Sequence, residues 1–351
     1  MGPAPRLPER WSDTRARSPR ESGALGGLAI RGPHSVRSQG GKCRAVKFLV
    51  PAGGRPHCMP SWGYRFQLGN YQCAVVSDGS FTYSHPASTF FLDAPIDRLR
   101  ERLDMDGIRL DTWSSFVSDY NCLFVDTGNQ RVLIDAGAGR LATTTGRLPA
   151  NLGRLGVPPE SIDVVVLTHA HPDHVGGTTG VDGQSAFPTC RFKIARAEWE
   201  FWTSKPELSN LRTSPELQGL LSAVGSENLL PIRGQVDLVE PDQEIVPGIR
   251  VVGSAGHTPG HLAVDISSQG DHLLYVSDAF LHPIHIEEPE WNASVDLAPR
   301  AAVEARRSLL QLATRQNALV HGFHFRFPGL GHVVSTRGRS LWSPLDTPPG
   351  S

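Results

Sequence analysis

The feature of this sequence that most constrains its fold is a cluster of polar side chains directly after a short apolar run. The run at 162–167 is rich in β-branched residues, which predicts a strand buried on both faces. The next ten residues read Thr-His-Ala-His-Pro-Asp-His-Val-Gly-Gly. Three imidazoles and one carboxylate therefore lie at the C-terminal end of the predicted strand.

The spacing within this cluster predicts that the chain turns there. On a regular strand His169, His171 and Asp173 would share one face, whereas His174 would point away. All four side chains converge only if the chain bends, and Pro172 and the two glycines that close the cluster favour a bend. Imidazole and carboxylate suit zinc and, less selectively, iron, manganese or cobalt. The cluster therefore predicts a metal site.

Apolar and alternating segments predict strands in two batches, each with helices around it. The predicted strands are 64–68, 72–77, 121–126, 131–135, 162–167, 190–194, 237–240, 249–253, 262–266, 273–277 and 319–321. The predicted helices are 96–103, 149–155, 197–203, 215–224 and 299–316, and the rest of 81–113 is predicted to be irregular. This order favours two sheets packed face to face, with helices outside, over a single doubly wound sheet.

The charge of the chain is uneven along its 351 residues. Residues 1–58 carry 11 Lys/Arg, 3 Asp/Glu and 16 Gly/Pro, whereas the remainder carries 23 Lys/Arg and 32 Asp/Glu. Such a composition cannot offset its ordering entropy, so we predict a disordered N-terminal extension at 1–58 and one domain at 59–351. An organellar transit peptide and a translation start that truly lies at Met59 are the alternatives.

The cysteines and the hydropathy pattern bear on location. The five cysteines form no Cys-x-x-Cys pair and are odd in number, which indicates reduced thiols. We find neither an apolar secretion signal nor a run of 18 apolar residues. The expected location is cytoplasmic, or organellar if the extension is a transit peptide, with no membrane partner.

A metal bound by the cluster needs further ligands, and the chain offers candidates where other predicted strands end. They are His257 and His261 after the strand at 249–253, Asp278 after the strand at 273–277, and His321, His324 and His332 after the strand at 319–321. Each lies where the chain leaves a sheet.

These residues resemble the metallo-β-lactamase superfamily over residues 63–345. The motifs are His-x-His-x-Asp-His at 169–174, Gly-His-Thr-Pro-Gly-His at 256–261, a lone Asp at 278 and a late His at 324. The segment 324–332, with Glu-Glu-Pro-Glu-Trp-Asn at 287–292, is similar to the branch that holds methyl parathion hydrolase, related organophosphate hydrolases, lactonases and arylesterases. The resemblance implies an α/β fold, an αββα sandwich of two mixed sheets, with a two-metal site at one edge.

Carried over residue by residue, the resemblance implies a role for each candidate. The first metal would be held by His169, His171 and His257, the second by Asp173, His174 and His324, with Asp278 as the bridge. The implied cofactor is two divalent ions, zinc first and iron, manganese or cobalt as alternatives, with catalytic roles for Asp173 and Asp278. Asp135, in the family's Asp-x-Gly position, would orient a ligand from behind.

The remaining histidines and the aromatic residues are consistent with structural roles or with a place in the pocket wall. We interpret His261, His321 and His332 as structural, hydrogen-bonded within their turns, while His282 and His285 could line the pocket or serve as ordinary core residues. Enough aromatic residues are present to wall an apolar pocket, although most should belong to the core; they are Phe90, Phe91, Trp113, Trp199, Trp202, Phe280 and Trp291.

The implied chemistry is hydrolysis by a hydroxide that bridges two metal ions. Two cations about 3.5 to 4 Å apart generate such a nucleophile at neutral pH and stabilise the oxyanion that it forms. No Gly-x-Ser-x-Gly motif is present, so a serine nucleophile is not expected. We therefore predict a dinuclear hydrolase of small neutral esters, lactones or phosphotriesters.

Other functions of this superfamily fit the sequence less well. A β-lactamase typically lacks the bridging Asp, glyoxalase II adds a helical C-terminal domain, and flavodiiron proteins replace the second His by Glu. An RNA-processing nuclease needs a basic surface, which the acidic remainder of the chain does not provide. A non-catalytic binding protein should have lost ligands. A glyoxalase II-like thioesterase, a β-lactamase-like enzyme and a hydrolytic dehalogenase stay open. The expected partner is a small molecule, not nucleic acid, and a homodimer is left open.

Overall fold

Two mixed seven-stranded sheets face each other in the computed structural model, which describes residues 61–209, 211–336 and 338–345. The prediction made for residues 1–58 lies outside the described residues. In the first sheet the strands lie in chain order: β1 (Gly63–Leu68), β2 (Tyr71–Ser84), β3 (Ser115–Asp126), β4 (Arg131–Ile134), β5 (Val164–Leu167), β6 (Arg191–Ala195) and β7 (Val236–Val239). Strands β1 to β4 are antiparallel and β4 to β7 are parallel.

The second sheet also follows chain order. It consists of β8 (Glu244–Val246), β9 (Ile249–Gly253), β10 (Leu262–Ser268), β11 (Asp271–Tyr275), β12 (Leu319–His321), β13 (Leu330–Thr336) and β14 (Arg339–Pro344). Only the β11–β12 pair is parallel among these described strands. The sequence did not predict β8, β13 or β14.

Helices cover the outer faces of the sheets. They are α1 (Pro86–Phe90), α2 (Ile96–Met105), α3 (Leu148–Arg154), α4 (Pro172–Val175), α5 (Arg196–Thr203), α6 (Pro215–Val224), α7 (Ile284–Glu287) and α8 (Pro299–Gln316). Helices α3 and α5 contact the first sheet, and α7 and α8 contact the second. The predicted αββα sandwich is therefore confirmed. Among the described residues, we find no helix that combines the length and the apolar character needed to cross a membrane.

The main core lies between the inner faces of the two sheets. Val75 and Val165 from the first sheet and Val264 and Leu273 from the second are among its fully buried residues. Each such aliphatic side chain stabilises the fold by about 1.5 to 3 kcal/mol through burial. All four residues of β5 are buried, as its apolar sequence predicted. The strand that carries the polar cluster is therefore a buried interior strand of its sheet.

Strands β2 and β3 extend further than the sequence indicated. The predicted strands were 72–77 and 121–126, with 81–113 irregular outside one helix, yet β2 continues to Ser84 and β3 already begins at Ser115. An irregularity in the register at Asp78 lets the ladder resume at Gly79. The Asp78 carboxylate accepts hydrogen bonds from three backbone N–H groups of the segment 138–148, at 2.8–3.1 Å. A β-bulge was therefore mistaken for the end of a strand.

Candidate metal centre

All seven predicted ligand residues leave the two sheets at one edge of the sandwich. His169, His171, Asp173 and His174 follow β5, His257 lies between β9 and β10, Asp278 follows β11, and His324 follows β12. The bend expected within the cluster is the single helical turn α4, with Pro172 in its first turn. Proline suits this position because its ring fixes φ and the missing N–H has no helical partner there.

One group of side chains comprises His169, His171, His257 and Asp278, whose potential ligand atoms all lie within 4.8 Å of one another. His257 Nε2 lies 3.0 Å from His171 Nδ1 and 3.4 Å from Asp278 Oδ2. His169 Nε2 lies 3.6 Å from the same carboxylate oxygen. All four residues are buried. We refer to them as the first group.

A second group comprises Asp173, His174, Asp278 and His324, again with potential ligand atoms within 4.8 Å of one another. His174 Nε2 lies 3.1 Å from Asp278 Oδ1, and His324 Nε2 lies 3.2 Å from Asp278 Oδ2. His324 Nε2 is also 3.4 Å from Asp173 Oδ2. Asp278 therefore belongs to both groups, as a bridging ligand would.

Hydrogen bonds behind the imidazoles fix which nitrogen faces the centre. The Nδ1 atoms of His174 and His257 each lie 2.8 Å from a carboxylate, those of Asp135 and Asp296. A proton on each Nδ1 satisfies these bonds and leaves the Nε2 lone pair directed inwards. His169 Nε2 and His174 Nε2 have no hydrogen-bond partner although both atoms are buried. Inward lone pairs of this kind are what a divalent cation requires.

The electrostatic field favours a cation at His174 and His257, whereas burial and neighbouring imidazoles lower the pKa of His169 and His171 well below its usual value, which keeps these two rings neutral. Burial lowers the pKa of His174, but nearby carboxylates, led by Asp278, outweigh burial and raise that pKa well above its usual value. For His257, burial is likewise outweighed by hydrogen bonds to two carboxylates, which raise its pKa to about 9. The surroundings that attract a proton to these rings would attract a divalent ion as well. The residues present therefore fit two metal ions.

Asp135 lies directly behind the ligand candidates. Its buried carboxylate accepts hydrogen bonds from the N–H and the hydroxyl of Thr168, at 2.8 and 2.9 Å, and from Tyr275 Oη at 2.8 Å. The same carboxylate holds His174 Nδ1, as described above. Asp135 thus links the end of β5 to β11 across the two sheets.

Sequence reasoning missed two residues that support other ligand candidates. Asp296 holds His257 and is itself approached by the buried Arg306, with Nη2 3.4 Å from Asp296 Oδ2. Ser118 Oγ lies 3.0 Å from His324 Nδ1 and donates to the His324 carbonyl at 3.1 Å. Neither residue belongs to a motif, and both are distant in sequence from the histidine that they contact. Only the fold brings each pair together.

Glu198 on α5 is a third residue that the sequence did not reveal. Its carboxylate is fully buried and accepts four hydrogen bonds. The donors are Ala170 N (2.9 Å), Trp202 Nε1 (2.6 Å), Thr258 Oγ1 (2.8 Å) and Gly260 N (2.8 Å). It therefore ties the loop that carries His169 and His171 to the loop that carries His257.

A cleft of about 500 Å³ opens above the two groups. His171, Asp173, Asp278 and His324 lie at its base. Its walls include apolar side chains from β2, α6 and nearby loops, namely Phe81, Phe90, Leu141, Leu217, Leu220, Leu221, Leu281 and Val295. Of the aromatic residues considered from the sequence, Phe90 lines the cleft, while Phe91, Trp202, Phe280 and Trp291 are core residues.

The other histidines lie outside both groups. His261 accepts from Asp278 N at 3.2 Å and bonds Ser254 at 2.8 Å, so it braces the bridging residue. His321 stacks on Tyr275. His332 Nδ1 bonds the Ala318 carbonyl at 3.1 Å. His282 and His285 do not line the cleft: His282 packs among aromatic rings, and His285 bonds the Phe90 carbonyl.

Comparison with known proteins gives relatives that include N-acyl homoserine lactonases. N-acyl homoserine lactonases from Bacillus sp and Bacillus thuringiensis are 27% and 24% identical over 140 and 183 residues, which are 39% and 52% of this chain. These matches span only 47% and 63% of those two proteins. Both are named for the same activity, although the matched part is incomplete.

Solved structures match more of the chain. The dizinc quorum-quenching lactonase AidC superimposes with a TM-score of 0.74 at 24% identity, covering 82% of this chain and 98% of AidC. The hydrolase AbOPH of the beta lactamase superfamily gives 0.71 at 26% identity, with the same coverage. The family model described as the metallo-beta-lactamase superfamily matches residues 116–324, more than half of the chain and a span that contains all seven ligand candidates. This chain belongs to the metallo-beta-lactamase superfamily.

Proposed function

We propose that this chain is a dinuclear metal-dependent hydrolase of small neutral lactones, esters or phosphotriesters. The observation that carries the proposal is the pair of ligand groups that share Asp278 at the base of an open cleft. The first ion would be held by His169, His171 and His257, the second by Asp173, His174 and His324, and both by Asp278. The imidazole-rich ligand set favours zinc.

Two divalent cations bound here would lower the pKa of a water molecule held between them and stabilise negative charge that develops on a carbonyl or phosphoryl oxygen. Asp278, whose side chain is 2% exposed and belongs to both groups, would be shared by the two ions and would neutralise part of their charge. Asp173 is 12% exposed and lines the cleft, so its carboxylate is more accessible to substrate than that of Asp278. With Oδ2 directed at the other ligand candidates of the second group, the second carboxylate oxygen of Asp173 would accept a proton from the attacking water and return it to the leaving oxygen.

The cleft and the charge of the chain support a small uncharged substrate. A volume of about 500 Å³ accommodates a small molecule, and the apolar walls favour an acyl or aryl group. Residues 59–351 carry 23 Lys/Arg against 32 Asp/Glu, which gives no electrostatic attraction for polyanions such as RNA. Lactones are the first choice because the relatives with matching sequences are named N-acyl homoserine lactonases.

The proposal is tested on purified protein whose metal content has been measured. We expect about two divalent ions per chain by elemental analysis and loss of turnover after chelation, restored by zinc. Values of kcat/KM are then compared for an N-acyl homoserine lactone, p-nitrophenyl acetate, a dimethyl aryl phosphotriester, a cephalosporin and a precursor tRNA. Light scattering of the same sample measures whether the chain is a homodimer.

Two results would overturn the proposal. One is a chain that binds one ion or none and is insensitive to strong chelators. The other is a cephalosporin or RNA rate that exceeds every lactone, ester and phosphotriester rate by tenfold or more, which corresponds to ~1.4 kcal/mol of transition-state preference. In the second case the metal centre could still be correct while the substrate class would be wrong.

A further inference from the structure

Two tyrosines on neighbouring strands form a hydroxyl pair beside the second group. Tyr83 on β2 and Tyr120 on β3 have their Oη atoms 3.0 Å apart, and both residues line the cleft. Their rings contact the imidazole of His324, with centroids 6.4 and 5.3 Å from it and near-perpendicular planes. We call these two residues the phenol pair. The phenol pair therefore borders His324, a ligand candidate of the second group, within the same cleft.

The hydrogen-bond inventory of the phenol pair leaves one proton unused. Two hydroxyls carry two protons, and their mutual bond consumes one of them. Among the described residues, no acceptor is found for the second proton. Tyr120 is fully buried, whereas Tyr83 is partly exposed. Either hydroxyl can be the donor in their mutual bond. If Tyr120 donates to Tyr83 Oη, the unused proton belongs to the more exposed residue and is available to a molecule in the cleft.

We propose that Tyr83 donates a hydrogen bond to the substrate oxygen that gains negative charge during hydrolysis, and that Tyr120 is a positioning residue that acts through it. This inference rests on the proposed function and adds a residue that none of the motifs contains. Tyr83 keeps its proton throughout, so the step needs no change in covalent bonds. A donor placed in advance at a developing oxyanion stabilises the transition state more than the ground state. A hydroxyl that accepts one hydrogen bond is also a stronger donor in the next.

The test compares Tyr→Phe variants, which remove one oxygen and keep the ring. For Tyr83→Phe we expect kcat to fall on the order of 100-fold, as when an oxyanion donor is removed, with KM little changed. The Tyr120→Phe variant should lose only the polarisation of the Tyr83 hydroxyl, so its kcat should fall less, on the order of 3- to 10-fold. Because Tyr120 acts through Tyr83, the double variant should be no slower than Tyr83→Phe alone.

Matched controls separate a catalytic role from a structural one. Tyr71→Phe removes a phenol that bonds the Pro247 carbonyl at 2.8 Å, away from the cleft, and should keep the wild-type rate. Tyr83→Phe should retain the wild-type metal content and thermal midpoint. If its rate stays within threefold of wild type, or falls only in proportion to lost metal, the inference is wrong. Multiplicative effects in the double variant would refute the role of Tyr120.

The same measurements distinguish this inference from the proposed function. If the wild-type chain, loaded with two ions, hydrolyses none of the lactone, ester and phosphotriester substrates, the proposed function fails and the inference fails with it. If the wild-type chain is active and Tyr83→Phe matches it, only the inference fails.

Discussion

Replacing Glu198 by Gln should weaken metal binding at the first group and leave metal binding at the second group unchanged. Glu198 is fully buried and touches none of the ligand side chains through its carboxylate. It acts on the backbone of the two loops that carry His169, His171 and His257, as described above. The second group instead depends on Asp135 and Ser118, which hold His174 and His324. The two groups thus differ in their main supports, although Asp135 also reaches the first group through Thr168, whose Oγ1 lies 3.2 Å from His169 Nδ1.

The expected cost follows from the hydrogen bonds of the Glu198 carboxylate. An amide keeps one acceptor oxygen, which can stay with Ala170 N and Trp202 Nε1, and places an NH₂ group opposite Thr258 and Gly260. The Thr258 hydroxyl can rotate to accept from the amide, whereas Gly260 N–H cannot. One buried donor is left unsatisfied, which costs about 1 to 3 kcal/mol of stability. Alanine would leave all four donors without an acceptor, so Gln is the informative variant.

Movement of the two loops should then appear as weaker metal binding. Loss of an outer partner of a metal ligand typically lowers metal affinity by about 10- to 100-fold. Competition with a chromogenic chelator should therefore show one weakened site and one site of wild-type affinity in Glu198→Gln. Urea denaturation of the same protein measures the loss of stability. Glu200→Gln is the matched control, because Glu200 lies on the same helix and is exposed.

A second variant makes the comparison reciprocal. Ser118→Ala removes the support of His324 and should weaken the other site while the first keeps its affinity. Equal weakening of both sites in both variants would refute the idea that the two groups differ in their main supports. Wild-type affinity at both sites in Glu198→Gln, despite a loss of stability, would show that Glu198 is a structural residue only.

Two further predictions concern the bridge and the N-terminal segment. Asp278→Ala should abolish most turnover and lower the metal content while the circular dichroism spectrum stays native. The His332 ring bonds only the Ala318 carbonyl, so the rate of His332→Ala should stay within about threefold of wild type. Near wild-type rates for Asp278→Ala would contradict the bridging role. A chain that starts at Met59 should keep the thermal midpoint and kcat/KM of the full chain, since residues 1–58 offer no buried apolar pattern; a large loss in either would show that the segment packs on the domain.

The sequence predicted the parts of the centre that depend on local spacing. A ligand cluster directly after a buried strand, as at His169 to His174, is visible because the strand, the proline and the glycines are contiguous. Helix α8 was predicted to its observed ends for the same reason, since a proline in its first turn and a periodic apolar stripe mark it. Local signals are sufficient where one element provides both the position and the chemistry.

Residues that act across the fold gave no such signal. Glu198 looks like an ordinary charged residue of a short amphipathic helix, and nothing near it in sequence shows that four donors from two distant loops surround it. Asp296 and Ser118 are similar, since each contacts a histidine far along the chain. Their roles depend on how the two sheets are stacked, which hydropathy patterns do not encode.

The phenol pair was missed because the predicted strand ended at Ser77 and residues 81–113 were predicted to be irregular outside one helix. An Asp-Gly dipeptide after alternating residues is a strong turn signal. At Asp78 the segment 138–148 supplies three N–H donors to the carboxylate, so the dipeptide stays in the strand, and Gly79 adopts φ +117°. Side chains alternate between the two faces of a strand. The one extra residue in the bulge therefore determines which face each later side chain of β2 points to. The position of Tyr83 in the cleft therefore depends on a buried carboxylate five residues earlier, and only the structure shows that connection.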